Sequence, residues 1–232
     1  MLQCSPWSSL SCCSQETANR ANQPLNHLDF DVNHCGEKAV SEKCRREFAR
    51  ELCYYSCDPY ITPWILKPDR TFPKERLMQV PLCESDCKRW WTACADSFTC
   101  VRNWRKHFTI KFDGRINATV NQCPANSRCQ PIRAIFNDSK DFCQTVWDNH
   151  WRVTPDQEDC IKLSFSPNKP NPNRHVAEVH FHEENLRQSN QQEEATITLI
   201  LVVLFVLAII CCCFAKCVFY LLKRWYQYCC AN

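Results

Sequence analysis

The chain has 232 residues, among them 21 cysteines, 13 prolines and only two glycines, Gly36 and Gly114. Cysteine at about nine per cent is the level of a disulfide scaffold in an oxidising compartment. The formal charge of +3 is mixed among carboxylates with no long basic run, so the electrostatic footprint of a nucleic-acid-binding protein is missing.

The sequence opens "MLQCSPWSSL", without the charged and then apolar regions of an export signal. Fifteen cysteines, an odd number, lie at 4, 12, 13, 35, 44, 53, 57, 83, 87, 94, 100, 123, 129, 143 and 160. A sequence that begins late, having lost a signal peptide and one further cysteine, is the simplest explanation of both features. An intermolecular bridge or a free thiol is the alternative.

From Glu37 to Cys57, "EKAVSEKCRREFARELCYYSC" reads as a helix with Cys44, Phe48, Leu52 and Tyr55 on its apolar face. A proline-bearing loop follows, and "VPLCESDCKRWWTAC" (80–94) supplies a second helix with Glu84 and Asp86 near its start. In a helix Cys83, Cys87, Trp90 and Cys94 share one face. Cysteines one turn apart have Cβ atoms about 5–6 Å apart, too far for a relaxed bridge to each other, so any bridges run to other segments. "RNWRKHFTIKF" is loop or strand, and a third helix is expected around "SKDFCQTVWDNHW".

The stretch "SPNKPNPNRHVAEVHFHEENLRQSNQQEE" reads as a polar stalk. Its His175, His180 and His182 show none of the inward-facing partners that a zinc site needs. Thr196 to Ala215 is a twenty-residue run without a charge, long enough to cross a bilayer. Lys216, Lys223 and Arg224 follow it, whereas Glu183, Glu184, Glu193 and Glu194 precede it, which places the large N-terminal part outside the cytoplasm. The sequons at Asn117 and Asn137 agree with that placement as glycosylation sites. Cys211, Cys212, Cys213, Cys217, Cys229 and Cys230 lie in or after the span, the last positions being candidates for S-palmitoylation; apolar residues of the span is the other reading of the first three.

Both "CYYSC" (53–57) and "CESDC" (83–87) have three intervening residues, against the usual two of zinc knuckles and thioredoxin-type sites, so structural disulfides are expected. Seven tryptophans precede the span, for core packing or for a cleft suited to a flat heteroaromatic. No nucleophile–base pair is discernible, which argues against an enzyme.

The motifs "NHCG" (33–36), "LCYYSCDP" (52–59), "KER" (74–76), "VPLCESDCKRWWTAC", "TCVRNW" (99–104), "CQP" (129–131) and "NPN" (171–173) resemble the folate receptor and riboflavin-binding protein family from about Cys4 to Phe181. The resemblance implies one small, disulfide-rich globular α+β domain with a deep vitamin-binding cleft, followed here by one transmembrane helix. It implies the pairs Cys4 with Cys53, Cys13 with Cys57, Cys35 with Cys129, Cys44 with Cys94, Cys83 with Cys160, Cys87 with Cys143, and Cys100 with Cys123. Cys12 is then left for an upstream partner.

By the same resemblance Glu51 stands at the carboxylate that grips an aminopyrimidine edge, one methylene longer than the usual aspartate. Tyr55, Phe72, Phe108 and Trp147 are expected to stack on the ligand, Arg76 and Lys106 to support its polar groups, and His150 to replace a serine. Pro73 stands where an arginine is usual, Arg105 where a histidine is, and Phe108, Ile110 and Val32 where tryptophans are, so the scaffold is retained more fully than the folate contacts. Core packing is the alternative for each aromatic, and a surface helix position the alternative for Glu51.

The expected organisation is a folate-receptor-like domain over 1–168, a stalk over 169–195, a transmembrane helix over 196–222 and a cytoplasmic tail over 223–232. The expected function is a single-pass plasma-membrane receptor that binds a small-molecule vitamin, folate or flavin, for endocytic uptake, without a cofactor. A receptor for a protein partner that kept the fold and lost the vitamin is the alternative. His150 in the cleft would gain charge near pH 6 and release ligand in an acidifying endosome.

Overall fold

The computed structural model describes residues 4–21, 23, 30–36, 38, 40–66, 75–113 and 118–230. In chain order it forms α1 (Gln15–Arg20), α2 (Glu42–Cys57), β1 (Ile65–Leu66), β2 (Arg76–Leu77), β3 (Val80–Cys83), α3 (Glu84–Cys94), β4 (Phe98–Thr99), β5 (Thr109–Asp113), β6 (Ala118–Gln122), β7 (Gln130–Pro131), α4 (Ile132–Ile135), α5 (Ser139–Val146), β8 (Trp151–Thr154) and α6 (Asn173–Cys230). Phe72 and Asn117 lie outside the described residues.

Helix α2 starts five residues later than its apolar periodicity suggests. The Val40 amide donates to the Asn33 side chain at 3.1 Å, which holds the approach extended, and the Ser41 hydroxyl then accepts from the Cys44 amide at 3.2 Å. That capping bond satisfies an amide the helix start leaves open. The helix buries Glu47, Ala49, Glu51 and Tyr54 as well as Cys44, Phe48 and Leu52, so it is covered on more than one side.

The second expected helix divides in two. Pro81 forces its predecessor into an extended conformation, and Val80–Cys83 form the fully buried strand β3, paired in parallel with β8 from Val80↔Trp151 to Cys83↔Thr154. Helix α3 begins only at Glu84. Cys83, Cys87, Trp90 and Cys94 nevertheless all lie in the core. The remaining sheets are two-stranded and antiparallel: β1–β2, β4–β7 and β5–β6.

Helix α5 is capped by Asp138, whose carboxylate accepts from the Asp141 amide at 2.8 Å. It stops at Val146 rather than running on to Trp151, because Asp148 (φ 58°) and Asn149 (φ 61°) adopt the left-handed conformation that Asp and Asn tolerate best. The reversal feeds the chain straight into β8 and sets Trp147, Asp148 and His150 on a tight turn.

Seven disulfides tie these pieces together: Cys4–Cys53, Cys13–Cys57, Cys35–Cys129, Cys44–Cys94, Cys83–Cys160, Cys87–Cys143 and Cys100–Cys123. They join the pairs that the family resemblance implies. The sequence separations run from 23 to 94 residues, for which loop-closure entropy gives about 3–5 kcal/mol each in the chain-entropy account. Cys44–Cys94 links α2 to α3 and Cys87–Cys143 links α3 to α5. Cys12 is exposed and unbridged. Around the bridges Trp90, Phe136 and Trp91 pack against Phe142 at 5.1, 5.2 and 5.7 Å between ring centroids.

Asp58, buried just after α2, fastens the two ends of the domain to each other. Its Oδ2 accepts from Trp7 Nε1 (2.8 Å), Asn173 Nδ2 (2.8 Å) and Asn171 Nδ2 (3.3 Å), and its Oδ1 from the Tyr60 amide (2.9 Å). The polar segment expected as a stalk is therefore partly built into the domain: Val176 and Ala177 are buried and His180 stacks on Trp64 at 5.0 Å. Contacts divide the chain into two units, 1–180 and 181–232. The second is helical over its described residues and holds an apolar stretch long enough to cross a membrane.

Candidate ligand-binding site

Three residues spaced along α2, Phe48, Glu51 and Tyr55, meet the turn between α5 and β8. Glu51 faces inward rather than to the surface and is 6% exposed, and burial pushes its carboxyl up to about 8. Tyr55, one turn on, is half-buried; burial raises its phenol first, and the nearby Glu51 and Glu75 carboxylates add to this.

His150 is 7% exposed, with its Nε2 4.0 Å from Glu51 Oε1. That distance exceeds a hydrogen bond, and Nε2 has no partner among the described residues. Burial, then the positive charge of Arg105, lowers its imidazole to about 3. Burial and Arg105 both disfavour the imidazolium and so act against the charge switch expected of His150 near pH 6.

Asp148 collects the basic residues. It accepts from Lys106 Nζ at 2.6 Å and Asn103 Nδ2 at 3.0 Å, and Arg76 Nη1 lies 3.5 Å away. Burial acts to raise this carboxyl, but those hydrogen bonds and the charges of Lys106 and Arg76 outweigh it and hold the group below its ordinary value. Arg76 and Lys106, expected as ligand contacts, are thus brought together at the site through a carboxylate that sequence reasoning passed over. Arg105 belongs to the same neighbourhood, its guanidinium lowered by burial and then by Arg76, and counter-raised by Tyr55 and Asp148.

The aromatic expectation separates into two groups. Trp147 and Phe108 meet around Phe30, at 5.1 and 5.7 Å between centroids, and around Trp104, at 5.5 and 6.0 Å. Phe48 stacks beneath Trp104 at 4.7 Å. These rings form one wall, with Trp104 fully buried and Trp147 and Phe108 only half covered. Tyr55 lies apart from it, tilted 52° to His150 at 6.4 Å. The Trp147 Nε1, like His150 Nε2, is buried without a partner among the described residues. The signal for Asp148 and for the turn was the "DN" pair immediately after an apolar helix.

Two groupings with metal-ligand spacing, Cys35/Cys123/Cys129 and Cys83/Asp156/Cys160, are built from cysteines committed to disulfides. A bridged sulfur is not a thiolate ligand. Of the two sequons, Asn137 is exposed.

The sequence that folds into this disulfide frame matches known proteins. The model of the folate receptor family covers residues 1–162. Human folate receptor alpha (Homo sapiens) is 36% identical over 179 residues, 75% of this chain and 66% of the receptor. Human folate receptor gamma is 32% identical over 182 residues, 77% of this chain and 71% of the receptor. Riboflavin-binding protein from Gallus gallus is 29% identical over 167 residues, 71% and 64% of the respective lengths. This chain spans about two thirds of the length of these relatives. The frame of bridges, the family match and the identities agree: the chain belongs to the folate receptor family.

Proposed function

We propose that this protein is a cell-surface receptor that binds a folate- or flavin-type vitamin between α2 and the α5–β8 turn. The observation that carries the reading is the buried His150 Nε2, without a hydrogen-bond partner among the described residues and 4.0 Å from the buried Glu51 carboxyl. Leaving such an atom unpaired costs about 1–3 kcal/mol, and a ligand edge that meets it recovers that cost. Relatives bearing the names folate receptor and riboflavin-binding protein support the ligand class. Trp147, Phe108 and Tyr55 are the stacking rings. Arg76, Lys106 and Arg105, ordered around Asp148, face the polar groups. The activity is binding, with no chemical step.

The apolar helix supports a single pass through the plasma membrane, its Lys223 and Arg224 inside and the 1–168 domain outside. A segment over 169–195 links the two, 196–222 spans the bilayer and 223–232 forms the tail; endocytic uptake follows as the receptor's task. Glycosylation at Asn117 and Asn137 belongs to the same placement.

Equilibrium dialysis of the full oxidised chain in detergent against riboflavin and folic acid tests this. One of the two binds saturably, and Trp147→Ala weakens it by about tenfold or more, the value of one lost stacking ring. Because Glu51 stays protonated and His150 neutral, affinity is the same at pH 7 and pH 5.5. A several-fold loss at pH 5.5 would show that another group titrates in the site.

A second reading, recognition of a protein partner, is favoured by strand β5, where Ile110 (65% exposed) and Phe112 (64%) point to one side of the hairpin. Saturable vitamin binding lost on Trp147→Ala decides against it.

A further inference from the structure

We propose that Lys216 docks, inside the bilayer, a transmembrane helix of a second protein that carries an aspartate or glutamate at the matching depth. The proposal rests on the membrane span over 196–222 put forward above.

The register of the span is set at its inner end. Lys223, Arg224, Trp225 and Tyr226 are consecutive, and cations beside amphipathic rings mark the level of the headgroups. Lys216 lies two helical turns before Lys223 on the continuous helix α6, about 10 Å deeper at 1.5 Å per residue. Val218, Phe219, Leu221 and Leu222 fill that interval. A register with Lys216 at the headgroups would push these apolar side chains out of the hydrocarbon and into water.

A helical side chain leaves its backbone tilted toward the helix N-terminus. For Lys216 that is the direction of the bilayer centre, so its four-carbon stem starts away from the inner surface and falls short of it. An ammonium held in hydrocarbon needs a partner of opposite charge. Residues 196–222 hold no aspartate or glutamate, and the nearest acidic residues on α6, Glu193 and Glu194, stand at the outer end of the span. A second copy of the chain brings only another Lys216 to the same depth, and like charges repel. The partner is therefore a different helix with its own intramembrane carboxylate. Cys212 and Cys213, one turn before Lys216, put small side chains on the face toward which it leans. All three are exposed on α6, and small residues admit the close backbone approach of a second helix.

The test uses the full oxidised chain in phosphatidylcholine vesicles and a lysine-flanked leucine–alanine transmembrane peptide, dansylated at one end. The peptide carries a single aspartate about 10 Å from that end, or leucine at the same place. Energy transfer from the chain's tryptophans to dansyl reads the association. The aspartate peptide associates about tenfold more strongly than the leucine peptide. Lys216→Leu removes the difference with every tryptophan still in place, Lys216→Arg keeps it, and Lys216→Asp transfers the preference to a peptide with lysine at that depth. Equal association of the two peptides with the wild type, or a preference that survives Lys216→Leu, overturns the pairing and leaves the span standing. Release of the wild-type chain from the vesicles by alkaline extraction overturns the span and the pairing together.

Discussion

Glu51→Gln is expected to raise the stability of the folded chain by about 3 kcal/mol at pH 7. The carboxyl titrates at about 8 when folded and at 4.5 as the unperturbed group. Between those values the unfolded chain has released this proton and the folded chain still holds it. The native state is therefore favoured fully below pH 4.5 and loses that advantage progressively as pH rises to about 8. At 1.36 kcal/mol per unit, the interval from 4.5 to 7 amounts to about 3 kcal/mol. Glutamine, nearly isosteric and never ionised, removes the loss. Denaturant midpoints of the oxidised wild type and variant should coincide near pH 4 and separate at pH 7. A separation of the same size at both pH values would mean that the variant acts through packing and not through the buried charge. His150 has the opposite sign: its folded value lies below the ordinary one, so its contribution is present above pH 6.5 and lost as pH falls toward 3.

Asp58→Ala is expected to cost about 4 kcal/mol. The change removes the acceptor of four hydrogen bonds: Trp7 Nε1, in a residue 1% exposed, loses its partner, and the fully buried Asn173 Nδ2 keeps only its bond to the Lys162 carbonyl. Each buried donor left without a partner carries about 1–3 kcal/mol. Asp58→Asn keeps one carbonyl acceptor and should cost less than half as much. Because Asp58 joins the chain start near Trp7 to Asn171 and Asn173, the alanine variant should also expose the Asn171–His180 segment to proteolysis before the rest of the domain. A loss below about 1 kcal/mol would show that Asp58 is not the fastening point.

The helices were legible because cysteine and aromatic spacing carries the 3.6-residue period: Cys44, Phe48 and Leu52 in α2, Cys87, Trp90 and Cys94 in α3, and Phe142 with Val146 in α5. Their limits were not, because they depend on groups distant in sequence or on backbone conformation. The start of α2 is fixed by Asn33, the division at Cys83 by pairing with β8, and the end of α5 by two left-handed residues. The site shows the same contrast. Residue types at Glu51, Tyr55, Trp147 and His150 were readable by resemblance, but the His150 protonation state was not, since it follows from burial beside Trp151 and Arg105. Nor could spacing show that Lys106 and Arg76 converge on Asp148, 42 and 72 residues further along the chain.

The proposed function places a vitamin ring between α2 and the α5–β8 turn, against Trp147. Tryptophan-fluorescence titration of the full oxidised chain with riboflavin and folic acid, each separately, tests it most directly. Saturable quenching at one ligand per chain by one of the two, markedly reduced in Trp147→Phe, is the expected result. Quenching by neither, from a sample with all seven bridges formed, would contradict it.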